Sequence, residues 1–285
     1  MVSRESFLLA NNVVLAAAAG SVLLGTMYPL LIDAIGGGKI SVGPPYFGAV
    51  FAAIMAPGIF LMGLGPLAKW KKASIPEIGG RLKLAAVISL VSALLVPSVM
   101  GKLTLMLVVG VFMGVWVLST TLILLQNRIS TKQSVSVTLL EKLKGIPLAF
   151  YGMLVAHFGI GVFILGVTLV KGYETEQDVR MDINDVAKVD ELAFIFKGAK
   201  EIKGPNYIAS QGTFLVNSGD KTIGILYPEK RFYPVQGSTM TEADIDPGIF
   251  KDLYVSLGEP LENGAWSVRI YVKPFVPVSY THLTL

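Results

Sequence analysis

The sequence predicts an α-helical polytopic membrane domain of five transmembrane helices followed by a small antiparallel all-β domain. Three observations carry this. Apolar residues make up 53% of the 285 positions and charged residues only 15%, with a mean hydropathy of +0.62, well beyond an ordinary soluble domain. The surplus lies before about residue 170, in long uninterrupted apolar runs. After Lys171 those runs give way to short segments of alternating character between turn-forming residues.

The spans are predicted at residues 7–32, 46–67, 82–100, 103–126 and 147–170 of a membrane domain covering 1–170. Each must be a helix, because lipid offers no partner to an open backbone. Orientation follows from the basic residues of the short loops. Lys69, Lys71, Lys72, Arg81 and Lys83 lie between the second and third spans, and Arg128, Lys132, Lys142 and Lys144 between the fourth and fifth; the alternate loops carry only Lys39 and Lys102. The positive-inside rule makes the first set cytoplasmic, with Arg4 and the amino terminus, and sends the chain outside after Val170. The first span begins six residues in and is followed by IDAIGGGK, with no small-residue cleavage site, so it reads as retained.

Charge divides the chain at the same place. Residues 1–170 hold twelve basic and four acidic residues, and residues 171–285 twelve and sixteen. The overall net charge of +4 therefore reflects topology and gives no reason to expect nucleic acid as a partner. Cysteine is absent, which excludes disulfides, thiolate metal sites and thiol nucleophiles.

The β domain is predicted over 171–277, with strands at 192–196, 212–216, 222–226, 231–235, 254–257 and 266–272 forming a sandwich or a partly open barrel. Lys203-Gly-Pro-Asn206 and Asn217-Ser-Gly-Asp220 are its clearest turns. In the last strand Trp266, Val268, Ile270 and Val272 fall on one face, the expected core face. No GxSxG, HExxH or P-loop occurs, and no serine has a histidine base within the domain. The segment 230–242, KRFYPVQGSTMTE, joins basic, aromatic and hydroxyl residues; a water-facing charged hairpin accounts for it better than an anion site.

Within the membrane half, Gly36-Gly-Gly-Lys-Ile-Ser-Val-Gly-Pro-Pro-Tyr-Phe47 reads either as the lining of an outer vestibule or as a simple reversal of the chain. Asn11 and Asn12 are expected to hydrogen-bond between helices. The most telling residue is His157, one of two histidines, inside a stretch of 24 residues without an Asp, Glu, Lys or Arg. At ~1.5 Å per residue that stretch covers about 36 Å, enough to cross a hydrocarbon core of about 30 Å, and leaves His157 away from bulk water. Imidazole then needs a partner helix, a metal or a haem iron to take up its valence. Gly161 shares its helix face, and Gly152 and Gly159 keep the neighbourhood slim, which suits either a flat macrocycle or close helix packing.

Ser3-Arg-Glu-Ser-Phe-Leu-Leu-Ala-Asn-Asn12, Gly25-Thr-Met-Tyr-Pro-Leu30, Lys39-Ile-Ser-Val-Gly-Pro-Pro-Tyr-Phe47 and Val155-Ala-His-Phe-Gly159 resemble, in order, the carboxy-terminal portion of the CcmF/NrfE family. Lys171-Gly-Tyr-Glu-Thr-Glu176, Gly204-Pro-Asn-Tyr207 and Tyr233-Pro-Val-Gln-Gly237 resemble it as well. The resemblance implies a membrane haem lyase of cytochrome c maturation in the bacterial inner membrane, with the β domain periplasmic. Such a protein takes haem from a periplasmic haem chaperone and promotes its thioether attachment to the CxxCH motif of an apocytochrome c presented by a thiol-handling maturation partner. It also implies a transmembrane b-type haem, for which His157 stands where the family's second transmembrane histidine is expected, as an axial ligand of the iron.

The departures from the family are large. The tryptophan-rich outer segment that holds substrate haem has no counterpart, since Trp70, Trp116 and Trp266 are scattered, and the other family histidines are missing. The chain thus reads as a fragment, with lyase activity expected only of the complete protein. Where the family continues from Lys273-Pro-Phe275 into a further span, Val278-Ser-Tyr-Thr-His-Leu-Thr-Leu285 matches a translated sequencing-library transposon adapter, so 278–285 read as a non-native tail and His282 is set apart from the site. Two other functions compete: a transporter or channel subunit with His157 as an intramembrane proton relay, and a non-catalytic membrane assembly scaffold. Apart from Lys83 at the edge of the third span, the five spans hold no Asp, Glu, Lys or Arg that could carry a relay further.

Overall fold

The computed structural model describes residues 4–67, 75–130 and 138–276. The lysines at 69, 71, 72 and 132, Trp70, His282 and the tail expected at 278–285 lie outside the described residues. The chain forms two compact units that part between Leu165 and Gly166.

The first unit is helical. α1 runs Arg4–Ala34, α2 Pro44–Leu64, α3 Ile75–Val99, α4 Leu105–Ser130, α5 Leu139–Lys144 and α6 Leu148–Tyr173, the last continuing into the second unit. All but α5 are long and apolar enough to cross a membrane. α2 starts on Pro44 and Pro45, in the first turn where a missing N–H costs nothing, and tightens into a single 3-10 turn at Gly65–Leu67. α5 was not expected from the hydrophobic pattern. A capping box builds it: the Thr138 hydroxyl accepts from the Glu141 amide while the Glu141 carboxylate accepts from the Thr138 amide at 2.9 Å.

Small and aromatic residues join these helices. Gly25 of α1 lets the rings of Tyr46 and Phe47 approach, and the Tyr46 hydroxyl donates to the Ser21 carbonyl at 3.1 Å. The glycine-proline connection is thus in part a reversal, with Gly36 and Gly38 at positive φ and its final aromatics inside α2. Between α2 and α4, Trp116 stacks on Phe60 at 5.2 Å between centroids and donates its indole N–H to the Phe60 carbonyl at 3.0 Å. Gly114 of α4 and Gly161 of α6 sit under Leu165 and Leu118 of the opposite helix, so Gly161 serves close helix packing.

The second unit is a β-sandwich. β1 is Thr175–Met181, β2 Val186–Val189, β3 Leu192–Lys203, β4 Ile208–Ser218, β5 Lys221–Leu226, β6 Glu229–Tyr233, β7 Ser238–Glu242, β8 Asp244–Asp246, β9 Lys251–Pro260 and β10 Trp266–Pro274. One sheet has the order β1-β10-β9-β8, the other β2-β3-β4-β6-β7 with β5 on β4, and every pairing is antiparallel. The sandwich expectation holds over the barrel. Phe194, Phe196, Phe214 and Val216 of one sheet close a core with Met181, Val255, Leu257, Val268 and Ile270 of the other. Val268, Ile270 and Val272 are buried on one face of β10, with Trp266 packed at its margin.

The strand expected at 231–235 ends at Tyr233; Val235 stands in the turn before β7, where Pro234 cannot donate to the ladder. β1, β2, β7 and β8 were not expected. β1 reads TEQDVRM, with exposed charges on its outer face and no apolar alternation before Val179.

Candidate functional site

His157 lies in the first half of α6. Its Nδ1 is 2.8 Å from the carbonyl oxygen of Met153, one turn back along the helix. A carbonyl oxygen has only lone pairs to offer, so Nδ1 carries the proton and donates. In the neutral ring this leaves Nε2 as a bare lone pair. The backbone therefore fixes both the tautomer and the ring's orientation, the arrangement commonly found at metal-ligating histidines.

A cleft of about 340 Å³ opens beside the ring. Its walls are Phe7 and Leu8 of α1, Leu61 and Met62 of α2, the Gly65-Pro66 turn and Met153 of α6, with Asn11 as the other polar side chain. Asn11 thus borders the cleft, whereas Asn12 is exposed. The helical spacing made Met153 findable in the sequence, because residues four apart share a helix face. The contribution of α1 and α2 depends on tertiary packing and left no local signal. Among the described residues no group of three or more His, Cys, Asp or Glu is placed to hold a metal, and of those four residue types His157 is the one that lines the cleft.

Polar clusters of the β-sandwich are internally satisfied. Arg231 donates to Glu229 at 2.8 Å, lies 3.4 Å from Glu242 and stacks over Tyr207, and the bond to Glu229 above all holds its guanidinium above the usual range. The segment 230–242 is accordingly the charged hairpin of β6 and β7. On the outer face of the other sheet Arg269 grips Asp178 through Nε at 2.6 Å and Nη2 at 2.8 Å. That fork holds Asp178 below the usual carboxylate range. Beside it the Tyr271 hydroxyl donates to Glu176 at 2.6 Å, a bond that pushes the phenol up to about 12.

Comparison with known proteins covers both units. Residues 172–274 match the family model described as the CcmF C-terminal beta-sandwich. The cytochrome c-type biogenesis protein CcmF of Pseudomonas fluorescens is 42% identical, and that of Escherichia coli strain K12 also 42%; each match takes in 96% of this chain and 41% of the relative. The NrfE protein of Haemophilus influenzae is 28% identical over the same 96%. A solved structure named cytochrome c heme lyase CcmF superposes with a TM-score of 0.72 at 21% identity, over 99% of this chain and 44% of that one, which shows the fold. The chain spans about two-fifths of the length of the curated relatives it matches. With helices and sandwich both accounted for, this is a multi-pass membrane chain of the CcmF/NrfE family of cytochrome c biogenesis proteins, equivalent to the part of those proteins that ends in the β-sandwich.

Proposed function

We propose that this chain supplies one axial ligand, His157 Nε2, to a transmembrane b-type haem within a cytochrome c haem lyase. The observation that carries the reading is the Nδ1 donation to Met153, which leaves the other ring nitrogen unprotonated on a ring that lines an apolar cleft. The residues present suit one face of a macrocycle: Phe7, Leu8, Leu61 and Met62 offer apolar walls, and a single imidazole offers the ligand. Haem, when bound, would supply one-electron redox chemistry at this depth.

The chain's own contribution is positional. Met153 holds the ring against rotation, and the apolar wall keeps water from competing for Nε2. Among the described residues lining the cleft His157 is the only ionisable one, which disfavours a proton relay, since a relay needs a second group. In the complete lyase we place the β-sandwich in the periplasm and the basic loops in the cytoplasm of an inner-membrane protein. There it would take substrate haem from a periplasmic chaperone and join it to the CxxCH cysteines of an apocytochrome c held by a thiol-handling partner, the activity expected of the complete protein.

The reduced-minus-oxidised absorption spectrum of the complete gene product in detergent tests the ligand. A b-type signal lost in His157→Ala, and restored when imidazole is added to His157→Gly, is the expected result. Haem absent from the parent, or a spectrum untouched by either substitution, would return His157 to helix packing.

A further inference from the structure

The end of the β-sandwich nearest the membrane can be located from its register. α6 passes into β1 with only Glu174 between them, and Thr175 pairs with Val272 of β10, which pairs with Leu253 of β9, which pairs with Asp246 of β8. The turn joining β8 to β9, residues 247–250, therefore projects from the end of the sheet at which α6 arrives. Ile249 is 81% exposed there and Phe250 75%.

Two large apolar side chains held in water are costly, and the backbone prevents their retreat. The Gly248 amide donates to the Asp252 carboxylate at 3.0 Å, and the Phe275 amide donates to the Phe250 carbonyl at 2.8 Å. A Cβ at Gly248 would collide with the Lys251 carbonyl, so the tight turn depends on glycine. Lys251, next in the chain, is exposed, and Lys171 is exposed at the end of α6. The other two turns at this end are different: β2–β3 carries Asp190 and Glu191, and β4–β5 carries Asp220. Asp190 is fixed to the same end by the Thr175 hydroxyl at 3.2 Å. Apolar contact is thus confined to one corner.

We propose that this turn is an interfacial anchor, seating Ile249 and Phe250 among the lipid chains of the leaflet in which α6 ends, with Lys251 and Lys171 at the level of the lipid phosphates. The bilayer is the occupant favoured by position. Val167, in the last turns of α6, exposes its own apolar side chain along the same unit, so the anchor would extend a surface that already faces lipid. Aliphatic and aromatic side chains beside lysines match the chemistry of that boundary. The proposal rests on α6 crossing the membrane and does not depend on the ligand role of His157.

The absence of cysteine from the sequence makes the test direct, since one introduced cysteine takes one label. The full chain with Phe250→Cys carries an environment-sensitive fluorophore in phosphatidylethanolamine–phosphatidylglycerol nanodiscs. Val235→Cys is the control: its side chain is 96% exposed in the β6–β7 turn, beyond the Ile208–Phe232 pair at the far end of the other sheet. The expected result is several-fold stronger quenching at 250 than at 235 by nitroxide-bearing lipids, and the reverse order with aqueous iodide. Equal iodide quenching at both positions would overturn the proposal. So would a label at 250 shielded from both quenchers, which would mean that protein covers the turn. Ile249→Cys repeats the measurement should the first label disturb the turn, and neither label should alter a haem spectrum.

Discussion

The helical unit and the β-sandwich are built by the same force working against two solvents. In the sandwich the large apolar side chains are inside: Phe194, Phe196 and Phe214 are fully buried, and charges occupy the outer faces. In the helices many large apolar side chains, Leu105 and Leu148 among them, turn outward, and Gly114, Gly161, Ser89 and Thr120 share the inside with Leu107, Val111 and Trp116. Lipid is as apolar as leucine, so burying leucine between helices gains little, and close approach at glycines and the Trp116 stack take over. Apolar burial holds the sandwich together; fit holds the helices together.

The largest test of that contrast is Phe214→Ala, which empties a core position stacked 4.9 Å from Phe196. It should cost about 3–5 kcal/mol and lower the unfolding midpoint of the sandwich in denaturant titrations, whereas Leu148→Ala, at an 87% exposed position, should stay within about 0.5 kcal/mol. Next comes Gly63→Ala, whose added methyl meets the Trp116 indole nitrogen and the Thr120 hydroxyl. Overpacking of about 1–3 kcal/mol is expected in detergent thermal unfolding, with the sandwich's midpoint unchanged; a shift of both would erase the distinction drawn above. The smallest effect concerns the sandwich surface. Tyr271 is raised in the folded state, so its bond to Glu176 contributes fully below the ordinary phenol range, and that contribution is lost as pH rises to about 12. Asp178 is lowered, so its contribution is present above the usual carboxylate range and is lost as pH falls through its own titration. Tyr271→Phe should flatten only the alkaline arm of a stability-against-pH curve, and Asp178→Asn only the acid arm.

The same contrast explains what could be read from the sequence. The spans were legible because lipid demands a long apolar run, and the core strands β3, β4, β5, β9 and β10 because a half-buried strand alternates. β1 and β8 escaped notice because an edge strand with solvent on one side needs little apolar pattern, and its charges also guard the free edge. α5 had a legible signal in Thr138 and Glu141 that hydrophobic periodicity does not register. At the site, His157 was visible as an ionisable residue in an apolar run. Its cleft was not, because Phe7, Leu61 and Pro66 reach it only through the packing of three separate segments.

The Met153 carbonyl that receives the imidazole proton belongs to the same helix as the ring. No neighbouring side chain is needed to aim Nε2. Direction and surroundings can therefore vary separately: substitutions at Phe7, Leu61 or Met62 can retune the size and polarity of the cleft across descendants of this sequence while the ring keeps its bearing.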